Sequence, residues 1–141
     1  MMRLELQSTG LAEGLQVTND TGDTLQLDAG AAAGGDGKTF RPMQTLLAAL
    51  MGCSAIDVLL ILEKQRTTLE QLHVTADAER REEAPRRFTK IHLHFAVTGD
   101  CSEQQFKRAV DLSVEKYCSV SASLHPDIEL SIGTVVRPLE D

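Results

Sequence analysis

The chain has 141 residues, 42% of them apolar and 25% charged, a balance that suits one soluble globular domain with an ordinary core and argues against a disordered segment. A net charge of -7, with no Trp, one Tyr and four Phe, argues against a nucleic-acid surface, which needs clustered cations and aromatic platforms for bases. Three cysteines with no Cys-x-x-Cys pair argue against a zinc ribbon or a thioredoxin-type motif. The start, Met1 to Leu6, alternates polar and apolar residues without a signal-peptide core, so a cytoplasmic, reducing location is expected.

Residues 2–6, 14–19 and 24–28 alternate with period two, and Asn19-Asp20-Thr21-Gly22-Asp23 supplies turn residues between the last two. This pattern predicts a β-meander. Gly30 to Gly37 lacks the spacing of a phosphate-binding loop and reads as a flexible linker. Pro42 suits the first turn of a helix running from about Met43 to about Gln65. That helix holds the apolar run Leu46 to Leu62, which is short for a membrane span and carries Asp57, so a buried helix with no membrane contact is expected. Apolar residues cover almost its whole circumference, which predicts that a second subunit encloses its far side.

Gln71 to Glu79 and Arg87 to Thr98 alternate on either side of a charged tip around Pro85, and predict an antiparallel hairpin. Ser102 with Gln105 forms a capping-box start for a helix carrying Phe106, Val110, Ser113 and Tyr117 on one face. Cys118 to Leu124 reads as a further short helical turn, and Asp127 to Val136 as a last strand. The order βββ-α-ββ-αα-β predicts one α+β domain over residues 1–141.

Cys53 lies in the apolar helix. Cysteine is commonly a packing residue, but Gly52, Ser54 and Asp57 bring space and polarity beside this one. Cys118 lies where one helix stops and another starts, a setting that favours a thiolate. The other reading is a packed helix-end residue. Cys101, between Asp100 and Ser102, reads as incidental. His73, His92 and His94 are expected on one face of the hairpin, opposite Leu72, Val74, Ile91, Leu93, Phe95 and Val97. That placement gives a solvated face rather than a metal site.

The run Arg41-Pro42-Met43-Gln44-Thr45-Leu46-Leu47-Ala48-Ala49-Leu50-Met51-Gly52-Cys53, followed by Ser54 to Val58, then Arg108 to Ser113 and Lys116-Tyr117-Cys118-Ser119-Val120, resembles the OsmC/Ohr family in order, spacing and both cysteines. The resemblance implies an OsmC-like fold, with antiparallel sheets wrapped around a long buried central helix, and an intertwined homodimer. It also implies a peroxidase that reduces organic hydroperoxides in oxidative stress defence. Cys53 would be its peroxidatic thiol and Cys118 its resolving thiol, with a thiol or dithiol as reductant and no metal or organic cofactor. The hydroperoxide reductases of the family carry a Glu directly after the Pro, paired with an Arg. Met43 stands at that position here, and Arg41 becomes the candidate cation for stabilising the thiolate. The departure places the sequence nearer the OsmC-like branch. It also keeps two other readings in view, a redox-sensitive small-molecule-binding dimer and a purely structural one.

Overall fold

The computed structural model describes residues 1–140. The chain divides into two compact units, Met1–Ala48 and a second that starts at Ala49.

In the first unit, β1 (Glu5–Ser8), β2 (Leu15–Thr18) and β3 (Thr24–Leu27) form the expected antiparallel meander. The turn between β2 and β3 closes on Asn19, whose Oδ1 accepts the N–H groups of Thr21 at 3.1 Å and Asp23 at 2.9 Å. A short polar side chain thus substitutes for a backbone acceptor, as Asn does in tight turns. The glycine-rich segment is not the flexible linker its composition predicts. Asp28, only 1% exposed, accepts the N–H groups of Gly30 at 3.1 Å, Asp36 at 3.2 Å and Gly37 at 2.6 Å. Gly30, Gly34 and Gly37 carry φ angles of 87, 98 and 74°, a region that side chains disfavour, so glycine lets this loop curl around one carboxylate.

Helix α1 (Pro42–Lys64, 23 residues) follows, with Pro42 in its first turn as predicted. The boundary between the two units falls within it. Its buried residues are Leu50, Ser54, Val58 and Leu62, spaced every four residues along one stripe. Ile56 and Leu60, on other faces, are 59% and 50% exposed. Full enclosure, expected from the apolar composition, is therefore not met by this chain alone. By length and composition α1 could cross a membrane; core helices of soluble proteins share those properties.

The second unit contains β4 (Leu69–Arg80) and β5 (Phe88–Gly99), which pair as the predicted antiparallel hairpin. Ile91, Leu93, Phe95 and Val97 are buried while His92 is exposed, so period-two alternation assigned the faces correctly. Helix α2 (Glu103–Leu112) starts at a complete capping box made by Ser102 and Gln105. It buries Phe106, Ala109 and Val110. It then runs into a π-helical turn, Ser113–Tyr117, and a short helix α3 (Ser119–Ala122). Strand β6 (Glu129–Arg137) joins the sheet beside β5 and parallel to it, giving the order β4-β5-β6. The expected antiparallel pattern holds for the other pairings. The parallel pair arises because the helices between β5 and β6 form a crossover that carries the chain back before β6 begins.

Candidate functional site: two thiols and a carboxylate

Cys53 sits in the middle of α1, next to the buried stripe, and is half-buried. Ser54 beside it is fully buried, and its hydroxyl donates back to the carbonyl of Leu50 at 2.8 Å. A hydroxyl in an apolar helix is thereby satisfied without leaving the helix. The carbonyl of Ser54 in turn accepts the hydroxyl of Ser113 at 2.8 Å, which ties the π-helical turn to α1.

In that turn the Cys118 N–H reaches back five residues to the Ser113 carbonyl at 2.7 Å. A π turn holds one residue more than an α turn, and such insertions recur at functional sites. Cys118 follows directly, 3% exposed, and its sulfur accepts the N–H of Ser121 at 3.4 Å, capping α3. Burial pushes the Cys118 thiol above the ordinary cysteine value. The Ser121 N–H opposes that shift, and the neighbouring Cys53 thiol adds to it.

The structure brings the two cysteines together. The sulfurs of Cys53 and Cys118 and a carboxylate oxygen of Asp57 all lie within 4.8 Å of one another. None of the three cysteines is in a disulfide. Asp57 follows Cys53 by four residues, one helical turn, and so shares its face. Its Oδ2 is buried and has no hydrogen-bond partner among the described residues. Asp57 also lines a groove of about 540 Å³ with Leu60, Ile61, Lys64, Leu112 and Tyr117.

Arg41 belongs to the first unit, immediately before α1, where its N–H donates to Gln44 Oε1 at 3.0 Å. Its side-chain stem lies so close to Gly30 that a Cβ there would approach Arg41 Cδ to 3.1 Å. Cys101 is buried, and burial also raises its thiol, with Asp100 adding to the shift. His92 bonds to Ser131 across the sheet at 2.7 Å, and His73 is exposed. Sequence reasoning noted Asp57 only as a polar residue near Cys53. Its i+4 spacing was the available signal for a shared site. The anchoring by Ser113 carried no comparable signal.

Comparison with known proteins agrees with this architecture. The family model described as "OsmC-like protein" matches residues 35–133. Protein YhfA of Escherichia coli K12 is 50% identical over 95 residues, which is 67% of this chain and 71% of YhfA. Among solved structures, a hypothetical protein from Aquifex aeolicus VF5 is 28% identical with a TM-score of 0.87, covering 99% of this chain and 98% of its own. An organic hydroperoxide resistance protein OsmC from Legionella pneumophila has a TM-score of 0.71 at 18% identity, over 95% of this chain and 96% of its own, which establishes the shared fold. With both the family match and the YhfA relationship spanning most of its length, the chain belongs to the OsmC-like protein family.

Proposed function

We propose that the protein reduces organic hydroperoxides with Cys53 and Cys118, working as a homodimer. The observation that carries this reading is the approach of the two sulfurs within 4.8 Å. A disulfide needs an S–S distance of about 2.05 Å, so a modest side-chain rotation closes the gap.

Cys53, the more accessible thiol, is the nucleophile. Its thiolate attacks the terminal oxygen of the hydroperoxide, the O–O bond breaks, and the alcohol leaves with a proton. This leaves Cys53 as a sulfenic acid. Cys118 then attacks the Cys53 sulfur, water departs, and the disulfide forms. A dithiol reductant returns both thiols by exchange, becoming a disulfide itself. Cys118 is only 3% exposed and burial raises its thiol, which suits the second role, because the more accessible Cys53 meets the peroxide first. Met51, Ala55 and Ile56, the apolar residues flanking Cys53 in sequence on α1, favour an organic over an inorganic peroxide.

The exposed Ile56 and Leu60 support the homodimer, since a second copy would remove them from water. A second reading, a redox-sensitive small-molecule binder with little turnover, is favoured by the groove beside Asp57 and by Met43, which cannot take the part of the Glu found in the family's hydroperoxide reductases. Consumption of cumene hydroperoxide and hydrogen peroxide by reduced protein, with thiols counted before and after one equivalent, separates the two. Loss of two thiols with preference for the organic peroxide, absent in Cys53→Ser, is the expected result. Thiols that survive the organic peroxide would replace the peroxidase reading with the binding one.

A further inference from the structure

The two thiols do not stand alone, and the third member of the cluster has no work in the thiol chemistry above. Asp57 has one carboxylate oxygen, Oδ2, buried without a hydrogen-bond partner among the described residues, and its carboxylate brings an oxygen within 4.8 Å of both sulfurs. A buried carboxylate oxygen left unpaired is costly, and in native proteins such a group usually meets a donor or a cation. Pairing it with either thiol would satisfy one atom only weakly, since S–H is a poor donor.

We propose that in the reduced protein Cys53, Cys118 and Asp57 form a three-ligand site for Zn2+, with a fourth coordination position left to water or a small ligand. The donor set suits this ion. Zn2+ takes thiolate sulfur at about 2.3 Å and carboxylate oxygen at about 2.0–2.2 Å in a tetrahedron. Ligand atoms in such a tetrahedron stand about 3.5–3.8 Å apart, so three atoms within 4.8 Å of one another close around an ion by small side-chain movements. Two thiolates and a carboxylate also exceed the ion's charge by one, which stabilises it in a half-buried place. Magnesium and calcium, which need six or more oxygen ligands, do not fit. The two ligands on α1 are one turn apart on the same face, and the anchored π turn holds the third against them.

Binding displaces one proton from each thiol to solvent and leaves both sulfurs as metal-bound thiolates. A disulfide between Cys53 and Cys118 removes two of the three ligands, so oxidation and zinc exclude one another. Only this last consequence for peroxide chemistry rests on the function proposed above; the ion site itself stands on geometry.

The test uses the full chain, reduced and then freed of reductant under argon, titrated with Zn2+ against a chromogenic chelator. In parallel, Co2+ is added and the near-ultraviolet thiolate-to-cobalt charge-transfer band is followed. One ion per chain is expected, with the cobalt band present. Cys53→Ser and Cys118→Ser should lose binding, Cys101→Ala should retain it, and diamide-oxidised protein should bind none. Asp57→Asn, with its fold checked by circular dichroism, should weaken binding by about tenfold or more. The absence of stoichiometric binding by reduced protein, or binding unchanged in Asp57→Asn or Cys118→Ser, overturns the site. Peroxide consumption is measured on the metal-free protein. Turnover without zinc binding would sink the ion site alone, and zinc binding without turnover would sink the peroxidase alone.

Discussion

The Ser113 hydroxyl donates to the main-chain carbonyl of Ser54 at 2.8 Å, across 59 residues of sequence, with neither residue exposed to solvent. The bond joins the residue after Cys53 to the start of the turn that ends at Cys118. It therefore sets the spacing of the two thiols from the main chain outward. Ser113→Ala should cost about 1 kcal/mol of stability and slow disulfide formation between Cys53 and Cys118 by more than it lowers the melting temperature would suggest. Thermal unfolding, together with the rate of thiol loss after one equivalent of oxidant, checks both effects. Unchanged disulfide kinetics would show that the contact is only structural.

Burial holds the Cys118 thiol above the ordinary cysteine value, with Cys53 adding to the shift. In Cys53→Ser the second cause disappears but burial remains. Iodoacetamide labelling of Cys118, followed by mass spectrometry, should then rise only at pH values above those of a free thiol, whose pKa is about 8.5. Labelling that rises below that value would mean that α3 activates the thiol despite its burial.

Burial on its own would raise the Asp28 carboxyl, but the N–H groups of Gly37, Gly30, Asp36 and Ala29 outweigh it and hold the group below its ordinary value. A carboxylate with a depressed folded value contributes stability above its unfolded pKa of about 3.9, and that contribution is lost as the pH falls through the folded value. Asp28→Asn should therefore destabilise the protein near neutral pH. The gap in melting temperature between the two proteins should narrow in acid. A gap independent of pH would remove the carboxylate's charge from the explanation.

Ile56 and Leu60 present an apolar surface of α1 to solvent in one chain. If a second copy covers them, Ile56→Lys and Leu60→Lys place unpaired charges in that interface and should convert the dimer to monomers in light scattering coupled to size exclusion. A dimer that persists in both variants would move the interface to another surface.

Leu50 is fully buried in the stripe that also contains Ser54. Leu50→Ala should cost about 2–5 kcal/mol through lost burial and the cavity it leaves. Urea unfolding measures this, and a cost below that range would mean that the site collapses around the smaller side chain.

Local chemistry made much of the fold legible. The capping box at Ser102 and Gln105, Pro42 in the first turn of α1, and the alternation of Ile91, Leu93, Phe95 and Val97 with His92 and His94 each rest on interactions between near neighbours in sequence. The features that escaped depend on distant partners. Asp28 gathers N–H groups from a glycine-rich segment whose composition signals only freedom. The parallel pairing of β6 depends on where the intervening helices leave the chain. The two cysteines could be named from sequence, but the bond that ties their elements together runs through Ser113, which helical periodicity treats as one more inward-facing position.

The π turn at Ser113–Tyr117 amounts to a phase shift of one residue in an otherwise α-helical path. Each α-helical residue turns the chain by about 100°, so the extra residue decides the direction in which Cys118 leaves the helix. Residue count between Ser102 and Cys118 thus matters as much as residue identity. A single deletion within the turn would leave both cysteines in place in the sequence and still rotate the second sulfur away from the first.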